Sequence, residues 1–390
     1  MNSAYLVGAF RTPGCKANKG FFKGTRPDDL AATVMKGLIE KTGIDAATMD
    51  DVILGCAFPE GEQGMNVARV ASFKAGIPYQ VPGITINRFC SSGLQAISFA
   101  ADRILAGNAD CILAGGVESM SLVPMGGNKY SANPLLVSEW PETYSSMGVT
   151  AELVAEKYEI TRENQDEFAF GSHQKATKAQ NENRFRDEII PVEIDTAALI
   201  NGKMVKGVKN IEMDDGPRAD SSLEALAKLR PVFNIKGSVT AGNSSQMTDG
   251  AAAVMVVSEK YLKEHKLKPV ARLVGYSVSG CKPEIMGIGP IVAIPKVLEK
   301  TGLKLKDIDL IELNEAFAAQ SLAVIKELGL NREILNVNGG AIALGHPLGC
   351  SGAKLTATLL SEMGKRKVKY GMVSMCIGGG MGAAGIFEHL

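Results

Sequence analysis

The stretch CSSGLQAISFAADRILAGNADCILAGG, residues 90–116, decides the fold, because CSGAKLTATLLSEMGKRKVKYGMVSMCIGG, residues 350–379, repeats its plan. Each runs from a cysteine and small residues through an apolar helix and a strand to a diglycine. In the first, Leu94, Ile97, Ala101, Ile104 and Leu105 recur at helical spacing and predict one buried face. In the second, a helix is expected from Ala353 to Met363 and a strand over Met372–Met375. The likeness continues between Asp249-Gly-Ala-Ala-Ala-Val-Met-Val and Gly382-Ala-Ala-Gly-Ile-Phe-Glu, which read as equivalent strands. The chain therefore reads as an internal duplication, its first half interrupted by an insertion of about residues 117–247.

Outward from these repeats, Asp51–Gly55, Ile84–Asn87 and Cys111–Ala114 look like buried strands with amphipathic segments between them. Alternation of strand and helix predicts α/β layers with helices on the sheet faces. The insertion differs in texture. Val123–Trp140 is rich in glycine, asparagine, proline and serine. Thr150–Arg186 is polar and helical, with Thr161-Arg-Glu-Asn as a capping start. Gly202–Asp220 reads as a charged, glycine-bearing loop. Such a segment fits a lid over a site, or equally a solvated decoration.

Bulk composition excludes several functions. At 390 residues, 45% hydrophobic and 22% charged, the chain is an ordinary globular protein of two or three domain-sized units. Basic and acidic residues balance at 42 each, so no broad nucleic-acid footprint exists, though a phosphate-rich ligand needs only a small basic patch. No stretch reaches the roughly 18–20 apolar residues of a membrane helix. Met1–Phe10 reads as a first strand, not a signal peptide. The seven cysteines (Cys15, Cys56, Cys90, Cys111, Cys281, Cys350, Cys376) form no CxxC pair and no zinc-ligand spacing with His173, His265, His346 or His389. A reducing cytoplasmic location with free thiols and no metal is expected.

A free cysteine is usually a small buried hydrophobe, so a reactive one needs support from its surroundings. In Ile84-Thr-Ile-Asn-Arg-Phe-Cys90-Ser-Ser-Gly, a strand ends at Asn87 and a helix starts just after Cys90. The partial positive charge of a helix start favours a thiolate and predicts a lowered thiol pKa. A thiolate also needs a proton acceptor. His173 and His265 read as solvated, and His389 is next to the C-terminus. His346 lies in an uncharged, glycine-rich loop between Gly345 and Pro347, where a structural role is equally open. Cys376 ends a strand before Gly378-Gly379-Gly380, whose N–H groups can bind an oxyanion. No Walker lysine or dinucleotide fingerprint accompanies that turn. In Ile311-Glu-Leu-Asn314-Glu315, a strand runs into a helix, with Asn314 presenting its amide and Glu315 in the first helical turn; both also suit capping.

Together, Asn87-Arg-Phe-Cys90-Ser-Ser-Gly, Asn314-Glu-Ala-Phe-Ala, Gly339-Gly-Ala-Ile-Ala-Leu-Gly-His346-Pro and Cys376-Ile-Gly-Gly-Gly-Met-Gly resemble the thiolase family. Arg11-Thr-Pro, Gly115-Gly-Val-Glu-Ser-Met, Ala227-Lys-Leu-Arg-Pro-Val-Phe and Thr240-Ala-Gly-Asn-Ser-Ser-Gln-Met-Thr-Asp-Gly-Ala extend the resemblance over the whole chain. The resemblance implies an α/β thiolase fold: duplicated βαβαβαββ halves layered α-β-α-β-α with an inserted loop domain. The halves would be residues 1–116 plus 248–268 and residues 269–390, with 117–247 as a lid that binds coenzyme A. It implies that Cys90 is the nucleophile, His346 its base and Cys376 a second acid/base. Asn314 would fix a water in one oxyanion site, and the N–H groups of Cys90 and Gly378 would form the other. Arg218, Ser245, Met147 and Phe317 match positions that contact coenzyme A or substrate.

No cofactor or metal is implied, since coenzyme A is itself a substrate. Acyl-CoA and coenzyme A are the expected ligands of a homodimer or homotetramer, and a β-oxidation multienzyme partner is left open. Ser146 stands where short-chain synthetic members usually carry a histidine before Met-Gly. Arg26-Pro-Asp-Asp-Leu and Cys15-Lys-Ala-Asn-Lys-Gly look like the fatty-acid branch. The expected activity is 3-ketoacyl-CoA thiolysis. The alternatives are an acetoacetyl-CoA thiolase working in the Claisen direction and, in another class, a non-catalytic lipid-binding protein. The latter would lack one of Cys90, His346 and Cys376. A decarboxylating condensing enzyme would want two histidines around the cysteine.

Overall fold

A computed structural model describes residues 3–200 and 203–390. Its strands are β1 (Ala4–Arg11), β2 (Cys15–Lys16), β3 (Asp51–Gly55), β4 (Gly83–Ile86), β5 (Cys111–Ser119), β6 (Val192–Ile200), β7 (Lys203–Ile211), β8 (Thr248–Ser258), β9 (Ala271–Gly280), β10 (Leu310–Leu313), β11 (Tyr370–Ile377) and β12 (Met381–His389). Met1 and Asn2 of the expected first strand lie outside the described residues.

The main sheet runs β10-β11-β12-β9-β1-β8-β5-β3-β4, with β2 added on β8. It reads as one plan used twice. β4-β3-β5-β8-β1 in the first half corresponds to β10-β11-β12-β9 in the second. In each, the pairs at the outer edge of the sheet are parallel and those toward its middle antiparallel. A single parallel bridge, Ile311 to Leu335, stands where β4 stands in the first half. Within the sheet, the described residues of the two halves meet through two register pairs, Tyr5 with Arg272 and Leu6 with Ala271.

Helices cover both faces of β5 and β8, which are buried along their whole length. The Pro27–Thr42 and Val67–Lys74 helices pack outside the first half, against Leu54, Leu113 and Met255. The Gly289–Thr301 and Ala318–Leu328 helices pack outside the second, against Ile311, Met372 and Ile386. The helices Ser92–Leu105 and Ser351–Arg366 lie between the halves, and their core joins Ile97 and Leu359 to Val254 and Met375. This gives five layers, helix-strand-helix-strand-helix. The two central helices touch at their first turns. A Cβ on Gly93 would lie 2.7 Å from Ala353 N, and one on Gly352 would overlap Leu94 N. The repeat seen in sequence is thus a contact in space, and only glycine fits on either side of it.

Several local expectations change. Leu105 is 45% exposed, because the helix turns its last residue out of the face led by Leu94. The strand at Cys111 continues to Ser119, since it stays paired with β8 to its end. Thr150–Arg186 holds two helices, Met147–Lys157 and Arg162–Asn181, and Thr161 caps the second by accepting from Asn164 N at 3.2 Å. Part of the expected Gly202–Asp220 loop is strand β7, paired antiparallel with β6 and anchored where Val192 and Ile211 join the outer core. Gly202 itself lies outside the described residues.

The helix contact yields a stability test. Gly352→Ala should lower stability by about 1–3 kcal/mol, the usual effect of overpacking. Gly171→Ala is the control: Gly171 sits inside the Arg162–Asn181 helix with open space around its Cβ position. It should raise stability by about 0.5–1 kcal/mol. Urea unfolding followed by circular dichroism measures both, and equal midpoints for the two variants would contradict the packing described.

Candidate active site

Cys90 is presented by a strained turn. Phe89, just before it, has φ +41°, left-handed for a residue that disfavours it. Such a conformation costs on the order of 1–3 kcal/mol and persists only when neighbours enforce it. Here Phe89 N donates to Asn87 Oδ1 at 2.8 Å, and Asn87 Nδ2 donates to Ala57 O at 2.9 Å. Ser92 Oγ accepts from Arg88 N at 2.8 Å and donates to Phe89 O at 2.7 Å. After a short 3-10 turn the central helix begins at Ser92. Cys90 ends up buried among Ala17, Ala57, Met120 and Leu348.

Cys376 reaches the same place from β11. Its cluster contains Ala151, Val239, Met286, Ala316 and Phe317, with half-buried Met147. Burial raises its thiol well above the usual range, and the neighbouring Cys90 and Cys281 sulfurs push in the same direction. The next residues turn sharply, with Gly379 and Gly380 at φ +79° and +81°. A Cβ on Gly380 would stand 2.9 Å from Pro283 Cα, so that turn admits only glycine. Gly378 N–H donates toward the Cys90 sulfur.

His346 follows the short Ala341–Leu344 helix through Gly345, at φ +81°. Its backbone N–H donates to Gln246 O at 3.0 Å. Its Nδ1 lies 2.5 Å from Ser351 Oγ, which donates its own proton to Pro347 O at 2.9 Å. That hydroxyl can then only accept from the ring, so Nδ1 carries the proton and Nε2 is the acceptor. Asn314 Nδ2 lies 3.2 Å from Nε2, and Asn314 Oδ1 is buried without a hydrogen-bond partner among the described residues. No hydrogen bond joins His346 to Cys90 among the described residues; the touching starts of the two central helices bring their loops together.

The electrostatics reverse one expectation. Burial pushes the Cys90 thiol up to about 11, against the lowering effect of Gly378 N–H and its own N–H. Loss of solvation exceeds the helix-start effect, and among the described residues no cation acts on the sulfur to offset it. Burial, with Lys354 nearby, pushes His346 down to about 3. The resting pair is therefore thiol and neutral imidazole, and any thiolate must be made by proton transfer.

Other sequence-derived residues fall as follows. Glu315 is not in a helical turn: it precedes the Ala318–Leu328 helix, and its carboxylate accepts from Ser172 Oγ, Asn336 Nδ2 and Ile342 N. The chain needs that turn to bring Phe317 against Ser244, where the two pair as a bridge. Ser245 donates its N–H to Ala316 O at 2.9 Å, beside that bridge. Met147 and Phe317 both join the Cys376 cluster. Arg218 is exposed, pairs with Asp220 at 3.0 Å and lines a cleft with Gln174, Lys178 and Ser221, without contacting either thiol. His173 is buried rather than solvated, because its Nδ1 accepts from Arg218 N at 3.2 Å.

Two supporting residues escaped sequence reasoning. Glu118 is buried and accepts from Ala57 N, Phe58 N, Gly349 N and Gln63 Nε2, tying the walls of the Cys90 pocket to the His346 loop. Lys354, a buried cation on a central helix, donates to Leu344 O and Gly345 O. A charge placed inside an apolar helix or strand was the available signal for each. No helix of the described residues is long and apolar enough to cross a membrane.

Comparison with known proteins places this arrangement. The model for the thiolase N-terminal domain matches residues 4–260 and that for the thiolase C-terminal domain matches residues 267–389. The 3-ketoacyl-CoA thiolase of Bacillus subtilis (strain 168) is 51% identical over 391 residues, covering 100% of each chain. That of Pseudoalteromonas translucida (strain TAC 125) is 46% identical over 396 residues, again covering 100% of each. Among solved structures, Bacillus anthracis acetyl-CoA acetyltransferase matches with TM-score 0.91 and 43% identity. Human mitochondrial 3-ketoacyl-CoA thiolase matches with TM-score 0.91 and 41% identity. Each covers 100% of this chain and 99% of the other.

Two outcomes follow from the geometry. In the free protein, iodoacetamide alkylation of Cys90, followed by mass spectrometry, should climb about tenfold per pH unit through pH 9, as expected of a thiol with a raised pKa. A plateau already at pH 7 would show a resting thiolate instead. Glu118→Gln turns an amide NH2 toward N–H donors and should cost about 2–4 kcal/mol of stability in urea unfolding.

Proposed function

This chain belongs to the thiolase family, and we propose that it is a 3-ketoacyl-CoA thiolase whose acyl carrier is Cys90. The observation that carries this reading is the meeting of Cys90, Cys376 and the Gly378 N–H in one buried place. An acyltransferase that breaks a carbon–carbon bond needs a nucleophile and a separate proton donor, and two adjacent thiols supply them.

In the cycle, His346 Nε2 takes the Cys90 proton as the sulfur attacks the 3-keto carbon. The oxygen becomes an oxyanion facing the Cys90 and Gly378 N–H groups. The bond between the second and third carbons breaks, its electron pair goes to the second carbon, and Cys376 protonates that carbon to release acetyl-CoA. The Cys376 thiolate then takes the thiol proton of coenzyme A. The new thiolate attacks the acyl-Cys90 carbonyl, and the shortened acyl-CoA leaves as Cys90 regains its proton from His346. Asn314 and His346 hold the thioester oxygen of the substrate, and the unpartnered Asn314 Oδ1 suits a bound water there. Each oxyanion donor is worth about 3–4 kcal/mol of barrier.

The raised pKa of Cys376 suits both tasks: the thiol keeps its proton until a carbanion asks for it, and its thiolate is basic enough to take one back. Met147, Phe317 and Ser245 line the approach of the pantetheine arm, and Arg218 meets a phosphate at the surface cleft. Chain-length choice separates two readings. The exposed Ser146 before Met147 favours longer substrates, whereas the likeness to an acetyl-CoA acetyltransferase favours the four-carbon one. A homodimer or homotetramer fits the open edge strand β4, on which Ile84 is exposed, with Phe73 of the preceding helix and Tyr79 of the intervening loop also exposed. A reducing cytoplasmic location fits seven free cysteines.

The assay is coenzyme A-dependent cleavage of 3-ketoacyl-CoAs from four to sixteen carbons, followed by loss of the substrate's absorbance. Wild type should cleave the longer ones. Cys90→Ala should lose about four orders of magnitude or more, and Cys376→Ala about two to four. Activity surviving in Cys90→Ala would overturn the mechanism, and activity confined to four carbons would favour the second reading.

A further inference from the structure

The mechanism above leaves unexplained a fully buried cation next to its base. Lys354 is 5% exposed, on the first turns of the Ser351–Arg366 helix. Its Nζ donates to Leu344 O at 2.7 Å and to Gly345 O at 3.0 Å. These are the last two carbonyls before His346. Three residues earlier on the same helix face, Ser351 Oγ holds the ring of His346. One helix face thus grips the histidine twice, by its imidazole and by its incoming backbone.

From this geometry we propose that Lys354 is a positioning residue for His346: its ammonium holds the two carbonyls of the Gly345 turn while Ser351 holds the ring, so that Nε2 is presented to the Cys90 proton. The inference rests on the thiolysis reading of the same site. Gly345 has φ +81°, and a Cβ there would meet Thr248, so the turn is tight on both sides. The carbonyls that Lys354 holds have few other ways to be satisfied inside the protein. A lone buried ammonium would be costly, and this one is balanced from several elements. Asp214 and Glu188 of the inserted segment and Cys350 of its own helix favour its charge, while Arg11 of β1 opposes it. Glu312 of β10 also feels it. Burial lowers Lys354 to about 8, so it is charged at neutral pH, and that charge lowers His346. Asp214 and Glu188 are themselves clamped by Arg11, at 2.7 Å each, so the inserted segment sets the field around the base.

The sign of the test follows. His346 works as a base only when neutral, so turnover falls as pH drops through its pKa. Removing the nearby cation raises that pKa and moves the acid limb of kcat to higher pH. Lys354→Met should lower kcat at least about tenfold and shift the acid limb up by about one pH unit, with KM changed by less than about threefold. Lys354→Arg should restore both limb and rate. Lys354→Gln keeps donors without charge; it should shift the limb yet lose less rate, and it stands in if Lys354→Met does not fold. An unshifted limb in the uncharged variants, or a loss that Lys354→Arg does not repair, overturns the proposal. Nitrogen-15 histidine spectra of the wild type need no variant to fold: they should show His346 neutral, protonated on Nδ1, from about pH 5 to pH 8. A ring that titrates near pH 6.5 overturns it. Wild type without thiolysis would bring down the functional reading and leave these spectra to judge the geometry. Active wild type with an equally active, unshifted Lys354→Met brings down this inference alone.

Discussion

Everything in this molecule hangs on the contact between the first turns of two central helices. Gly93 and Gly352 let the helices approach until backbone meets backbone. Each helix begins just after the loop that carries Cys90 or His346, so the contact draws the Cys90 loop of one half toward the His346 loop of the other. The Gly378 turn closes over them from β11. Larger side chains at either glycine would separate the loops before they disturbed any reactive group.

Burial then governs the chemistry. The same loss of solvent that raises Cys90 lowers His346, so each is held in its uncharged form until substrate arrives. Neutral partners avoid the cost of sheltering an isolated ion pair in an apolar core. Of the buried charges, Glu118 braces the Cys90 pocket, Lys354 holds the carbonyls before His346, and Arg11 pairs with Glu188 and Asp214. They shape the field at the site without entering the reaction.

Much of this was legible beforehand, for identifiable reasons. The repeat of cysteine, small residues, helix and strand survives in sequence because the helix contact tolerates only glycine on both sides. Strands such as Asp51–Gly55 were legible because full burial demands an unbroken apolar run. What did not show is long-range. The β6–β7 hairpin is defined by pairing Val192 with Ile211, and Ile211 stands alone between Asn210 and Glu212 in the chain. His173 looked solvated because its partner, Arg218, is 45 residues away. The Cys90 pKa went the wrong way because a helix start is visible in sequence and the depth of a pocket is not. Glu118 and Lys354 were each a single charge in an apolar run, and their partners come from distant loops.

The duplication carries a further consequence through Cys350. It stands at the start of its helix as Cys90 does at the start of its own, and it is equally buried. In two separate identical halves both cysteines would carry the same duty. Under the mechanism proposed above, the second copy is released from it, and its half supplies His346, Asn314 and Cys376 instead. On that reading the two halves of one chain divide the labour, and neither holds a complete set of tools.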